Sequence, residues 1–257
     1  MILSKRVALN GVQLDEIHER IVVRSIDPGA PQKSVQAVSR MGGCGQRITA
    51  EHFETLDVTV EFGIDVGRRE MELRREIFDA VIAWALKKGW LTVSWMPGRQ
   101  MYADRVEIPS TGDLWNWTDS MTLTFKAYNV PFWQDASPAT GHATLITDGS
   151  IGLDVPGNVE TVMDAEFANR SGQTINKLSI SAGGNTLAFT GLGLGGTETL
   201  RISHGTDGLL RIYAGDRSVL DKRTGADDLY VSPGSNTVTI SAERAGELTV
   251  SAYGRYL

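Results

Sequence analysis

The stretch Phe189–Ile202, FTGLGLGGTETLRI, decides how this chain folds. It contains Gly191-Leu-Gly193-Leu-Gly195-Gly196, a literal G-x-G-x-x-G. Asp216 follows at the ~20-residue distance at which dinucleotide-binding folds place a ribose-binding acid. Such a site needs a strand before the glycines and a helix after them, because the pyrophosphate rests on free N–H groups at the helix N-terminus. Here the glycines run into Thr197–Ser203, TETLRIS, whose two-residue alternation and β-branched content read as a strand. The glycines then supply the positive φ angles of a turn or bulge between antiparallel strands. No βαβ unit is expected, and no cofactor.

Working outward, the same habit fills the second half. Short β-like runs recur at Ala143–Thr147, Thr161–Ala168, Lys177–Ser181, Thr186–Thr190, Thr197–Ile202, Leu209–Tyr213, Asn236–Ser241 and Glu247–Tyr253. Turn clusters separate them, among them Ala182–Asn185, Gly205–Gly208 and Ser232–Ser235. Regular short strands with turn signals predict a β-sandwich or jelly roll. The change of character falls at Pro131–Gly141, after which there is no tryptophan. Two domains are expected, residues 1–134 and residues 135–257.

The first half reads as α+β with one helix. Arg68–Lys88, RREMELRREIFDAVIAWALKK, places Leu73, Ile77, Val81 and Trp84 at helical spacing, widened by Phe78 and Ala85. Glu70 with Arg74 and Glu72 with Arg75 are expected as pairs on the wet face, and Gly89 as the residue just past the helix end. The apolar stripe is expected to pack on a sheet. Val7–Leu9 and Val12–Leu14, joined by Asn10-Gly11, form the strongest short hairpin signal. Glu54–Ile64, Leu91–Trp95, Gln100–Ile108 and Met121–Ala127 read as strands. Between the early strands, Ser25–Arg47 is a Gly- and Pro-rich connection long enough to expect a function or a partner.

The 257 residues carry a formal charge of −6. Without a basic field there is no grip on a nucleic-acid backbone. No run approaches the ~18 apolar residues of a membrane span, and Lys5 and Arg6 interrupt any signal-peptide core. The single cysteine, Cys44, allows no internal disulfide and fits a reducing site of synthesis. Other chemical templates are not met: there is no phosphate loop and no G-x-S-x-G elbow. His18, His52, His142 and His204 are scattered and read as surface or capping residues. Cys44 lacks a paired histidine in view, and Asp227-Asp228 reads as a solvated turn. Phe189 and Tyr213 read as core. No catalytic, cofactor or metal residues are expected, and no enzyme. A carbohydrate-binding role for the second half stays open as the alternative, since jelly rolls include lectins.

Taken in order, the motifs resemble those of the distal tail proteins of long-tailed bacteriophages. The resemblance runs through Glu54–Ile64, the helix with Ile82-Ala-Trp84-Ala85, Gly89–Val93, Thr122–Ala127 and Val130-Pro-Phe-Trp-Gln134. It continues through Gly208–Tyr213, Asp228–Val238 and the closing Gly254–Leu257. It implies a tail-tube-like β-barrel or split barrel with one helix, then a galectin-like jelly-roll sandwich. It further implies a structural protein of the virion tail tip: a homo-hexameric ring between tail tube and baseplate, with the sandwich as a platform for receptor-binding proteins. Tail-tube protein, the tail hub protein and receptor-binding or baseplate proteins would be its partners. DNA would be passing cargo, and no membrane insertion is implied. The Ser25–Arg47 connection is the sort of element that could embrace a neighbouring subunit, and a closed ring would cover open sheet edges.

Overall fold

Alternating apolar and polar side chains become strands almost throughout the computed structural model, which describes residues 5–31, 33–39, 46–67, 69–108 and 120–257. The chain divides into two units, Met1–Trp133 and Gln134–Leu257.

Unit 1 opens with β1 (Val7–Leu9) and β2 (Val12–Gln13), turned at Asn10 (φ 53°) and Gly11 (φ 81°) as the Asn-Gly signal requires. Among the described residues two α-helices are present instead of the single one expected. The first, α1 (Leu14–Ile17), is one turn; Gln13 N–H donates to Glu16 Oε2 at 3.1 Å, and Leu14 is fully buried. Then follow β3 (Ile21–Asp27), β4 (Lys33–Ser39), β5 (Gln46–Phe53), β6 (Leu56–Ile64) and α2 (Met71–Ala85). The unit closes with β7 (Gly89–Val93), β8 (Arg99–Ala103), β9 (Arg105–Glu107) and β10 (Met121–Ala127).

These strands form antiparallel sheets in the orders β2-β1-β7-β8 and β3-β6-β10-β9. Period-two alternation sets the register: Phe62, Val60, Val58 and Leu56 face Met121, Leu123, Phe125 and Ala127 across β6 and β10, all buried. The helix α2 buries Ile77, Val81, Trp84 and Ala85. Trp84 reaches both sheets: its ring meets Phe125 edge-on at 5.8 Å, and its Nε1–H donates to the Val12 carbonyl at 3.0 Å.

Three expectations for this unit need correction. The helix ends at Ala85, and Gly89 opens β7 instead of closing the helix. The Asn10 side chain clasps that junction, accepting from Trp90 N–H and donating to the Lys88 carbonyl, both at 3.0 Å. Arg74 lies on the buried face, 7% exposed, and not on the wet one. The run Gln100–Ile108 is two strands in two sheets. Asp104 breaks it, because its carboxylate accepts the Tyr128 and Asn129 backbone N–H groups where the chain crosses over.

Unit 2 begins with the end of β11 (Trp133–Asp135), then β12 (Ala139–Val155), β13 (Thr161–Val162), β14 (Asp164–Asn169), β15 (Ile175–Ala182) and β16 (Asn185–Leu194). It continues with β17 (Thr199–His204), β18 (Leu210–Ala214), β19 (Arg217–Ser218), β20 (Arg223–Gly225), β21 (Tyr230–Val231), β22 (Gly234–Ala252) and β23 (Arg255–Tyr256). The runs read as separate short strands, Asn236–Ser241 and Glu247–Tyr253, are halves of one 19-residue strand. Along one flank β22 pairs with β12; along the other it changes partner, taking β15 through Thr239–Ala242 and β14 through Gly246–Ser251. The register slips in β12 between Ala143 and Asp148, opposite that change. One curled nine-stranded sheet results, and its inner side chains share one core that includes Phe167, Leu178, Phe189, Leu200, Ile240 and Leu248.

The opening glycines lie where a bulge and a turn need them. Gly191 (φ 64°) and Gly193 (φ 61°) sit inside β16, where the register jumps from Lys177↔Thr190 to Ile175↔Leu194. Gly195 N–H donates to Glu198 Oε2 at 2.8 Å, so a carboxylate of the chain itself occupies the loop amide. A side chain on Gly196 would collide with the Gly172 backbone. The carbonyls of Leu194 and Gly195 accept from Asn169 Nδ2. A strand follows, not a helix, so the dinucleotide reading has no structural counterpart here.

Candidate assembly surface

The connection read from sequence as the loop Ser25–Arg47 is a β-hairpin arm. Among the described residues, strands β4 and β5 pair only with each other, from Lys33↔Phe53 to Ser39↔Gln46. Their β-branched residues favour this geometry, and a bulge at Thr49, whose Oγ1 donates to the Gln36 carbonyl at 3.1 Å, adds twist. Residues 40–45, with Cys44, lie outside the described residues. Strands of this length extend roughly 25 Å.

An isolated two-stranded hairpin is marginal in water, and this one has no strand of the described residues on either outer edge. It also exposes apolar side chains: Val35 is 47% exposed, Val38 59% and Ile48 54%. Ile48 stands opposite Ala37 and Val38 opposite Arg47, so successive positions place apolar groups on both faces. Lys33 and Glu51 pair across it.

The root of the arm, by contrast, is fixed. Phe53 meets Phe132 edge-to-face at 5.0 Å, and Trp133 Nε1–H donates to the Pro28 carbonyl at 3.1 Å. Asp27 Oδ1 accepts the Gly29 N–H at 3.0 Å. The Pro131-Phe-Trp133 segment, which the sequence marks only as a motif, is therefore the clamp on the arm.

A second feature of unit 1 is the outer face of the sheet β3-β6-β10-β9. Register places Asp27, Asp57, Glu61 and Glu107 on it, among Ser25, Thr59, Thr122 and Thr124. Ser25 Oγ donates to Glu61 Oε2 at 2.8 Å, and Ser120 Oγ donates to the other oxygen. These bonds, Ser120 foremost, hold the Glu61 carboxyl below its ordinary range, against the opposing effect of desolvation. Lys126 lies 2.8 Å from Asp57 and 3.4 Å from Glu107; its hydrogen bond to Asp57 raises its pKa. By the same register Arg105 and Lys126 lie on this face, and Arg24 and Lys5 act on Glu61, so the face is hydroxyl-rich with carboxylates and cations interleaved.

The four histidines sit apart. His18 Nδ1 accepts the Arg20 N–H, His52 is exposed on the arm, and His142 lies against Thr249 and Glu247. His204 is neither surface nor cap: it is buried between Asp164 and Asp228. Asp228 is accordingly not a solvated turn residue, whereas Asp227 is exposed beside Arg223. Tyr213, read as core, is 40% exposed, while Phe189 is buried. Among the described residues no group of three His, Cys, Asp or Glu side chains could hold a metal. Asp164 and Asp228 meet different ring nitrogens of His204, so they do not focus on one point. No helix among the described residues is long and apolar enough to cross a membrane.

A self-paired arm, a hydroxyl-rich sheet face and a curled β unit define a β-rich protein that presents edges and faces. No protein-family model and no curated protein matches the chain. Among solved structures, it matches the Dit (gp 19.1) protein of phage SPP1, described as a paradigm of the hub adsorption apparatus in phages infecting Gram-positive hosts. The TM-score is 0.70 at 16% identity, over 98% of this chain and 99% of that one. Two chains from the phage p2 baseplate in its activated conformation, with Sr and with Ca, match at 10% and 9% identity with TM-scores of 0.46. They cover 97% and 99% of this chain and 97% and 98% of their own. From end to end, then, the chain has the fold of a phage distal tail protein.

Proposed function

We propose that this chain is a structural component of a phage tail tip, working as a homo-hexameric ring in the virion. The arm carries this reading: an unshared hairpin with apolar side chains on both faces, on a clamped root, is a part that needs a second copy. Head-to-tail docking of each arm on its neighbour closes a ring when the rotation closes, and covers the open strand edges. In this reading residues 1–134 are the ring-forming, tail-tube-like domain and residues 135–257 a galectin-like peripheral platform. Tail-tube protein adjoins one face of the ring and the tail hub protein the other, while receptor-binding or baseplate proteins dock on the platform. The hydroxyl-rich face of β3-β6-β10-β9 suits a channel wall, since cations matched by neighbouring carboxylates offer DNA no net basic field to grip.

Negative-stain microscopy and light scattering of the purified full chain test the proposal. Six-fold rings with an open axis are the expected result. A monomer at high concentration, or a closed axis, defeats the reading.

A further inference from the structure

Unit 2 holds one buried titratable cluster that neither the arm nor the sheet face uses. His204 closes β17 with its side chain 6% exposed. Its Nδ1 lies 2.7 Å from Asp164 Oδ1, and its Nε2 lies 2.6 Å from Asp228 Oδ1. Ionised carboxylates only accept hydrogen bonds, so a ring that meets one at each nitrogen must donate from both and is an imidazolium. The Asp164 carboxylate is held in place, because its Oδ1 also accepts the His204 backbone N–H at 3.0 Å.

The other charged groups around it are consistent with that state. Arg255 of β23 is close enough to Asp164, Asp228 and the Tyr230 phenol to interact with all three. Glu160 and Asp227 lie near enough to Tyr230 to raise its phenol. The two carboxylates nearest the ring, Asp164 and Asp228, are matched by two cations only when His204 carries its proton. Tyr230 is not the group that titrates near neutrality, since burial and the charge of Asp228 raise its phenol further from its ordinary value.

Asp228 belongs to the segment Ala226–Val231. That segment is also held by Ala226 N–H on the Thr186 carbonyl, Met163 N–H on the Leu229 carbonyl, Arg223 on the Asp227 carbonyl and carboxylate, the two-residue ladder β13–β21, and the burial of Leu229 and Val231. We propose that His204 is a proton-held latch: its imidazolium ties Ala226–Val231 to β14 and β17, and loss of one proton in alkaline solution releases the segment. Deprotonation sets a nitrogen lone pair against a carboxylate oxygen with no donor between them. The segment carries Tyr230, 37% exposed, so the latch decides whether that aromatic surface is held or loose.

The pH window follows from the sign. Burial disfavours the charged ring, but the hydrogen bonds to Asp164 and Asp228 outweigh it and raise the pKa above the ordinary 6.5. The contribution is therefore complete below about pH 6.5 and disappears as pH climbs through the raised folded-state value.

Nitrogen-detected NMR of the full-length wild-type chain tests the latch directly. The His204 ring is expected to titrate with a midpoint above about 6.5; a midpoint at or below that value overturns the proposal, whether or not any variant folds. Amide protection at Ala226 and Met163, corrected for intrinsic exchange, is expected to fall by up to about tenfold for each unit by which that midpoint exceeds about 6.5. His204→Gln is expected to lose that pH dependence. Protection unchanged with pH in the wild type, or the same alkaline loss in the variant, overturns it.

Discussion

The indole N–H of Trp133 donates to the carbonyl of Pro28 at 3.1 Å, joining residues 105 positions apart at the root of the arm. Trp133 is 2% exposed, whereas Pro28 is half-buried, so its carbonyl is partly shielded from water once the indole is gone. Trp133→Phe keeps an aromatic ring and removes the donor. The expected cost is about 0.5–1.5 kcal/mol, the net contribution of a typical hydrogen bond, read from urea denaturation of the full chain. A loss confined to a few tenths would show that the clamp is not what fixes the root.

The arm itself predicts a separation between folding and assembly. Val38 and Ile48 are exposed, so Val38→Asp with Ile48→Asp should change the stability of a single chain by no more than about 1 kcal/mol, about 0.5 for each substitution. In a ring the same carboxylates become buried against apolar groups, unpaired, at a cost of several kcal/mol for each charge. Light scattering is expected to show well-folded monomers. Intact rings from the double variant would remove the arm from the interface.

Asn169 predicts where the glycine loop is most vulnerable. It is fully buried, its Nδ2 donating to the carbonyls of Gln173, Leu194 and Gly195, and its Oδ1 accepting from Ser171 N–H and Oγ. Asn169→Ala strips partners from several buried groups at once, at about 1–3 kcal/mol for each one left unsatisfied. Gly196→Ala should be comparably harmful by forcing the loop off the Gly172 backbone. Thermal unfolding that is insensitive to both changes would contradict this packing account.

Residues that alternate strictly are legible in the sequence alone. Leu56–Phe62 and Met121–Ala127 announce their strands and their inner faces, because the side-chain period of a strand is two and one face is buried. The arm is not legible as strands. Among the described side chains of Lys33–Ser39 and Gln46–Phe53 none is buried, so no burial pattern marks these strands, and the glycines between them read as loop. The short helix Leu14–Ile17 stays hidden because a single turn is too short to show a period. His204 escapes for a different reason. Its partners lie 40 and 24 residues away, and pairing at that separation leaves no local signature. The bend of β22 is likewise set by a change of partner strand, which the residues near Gly246 do not encode alone.

Glu61 gives the acid-side counterpart of the His204 latch. Its carboxylate accepts from Ser120 and Ser25, with Arg24 and Lys5 adding favourable charge, and these together outweigh desolvation to lower its pKa below the ordinary 4.5. A depressed carboxyl contributes stability that is complete above the unfolded-state pKa and is lost as pH falls through the folded-state value. Ser120→Ala removes the largest of these donors. The Glu61 carboxyl carbon, followed by NMR, should then titrate nearer to its ordinary value, and the part of the acid unfolding profile due to Glu61 should shrink. The side chain stays charged at neutral pH in both proteins, so ring formation and any passage of DNA along this face should be unaffected by Ser120→Ala. A titration that does not move would mean the hydroxyls on this face are bystanders and that its charge is set by something other than Ser25 and Ser120.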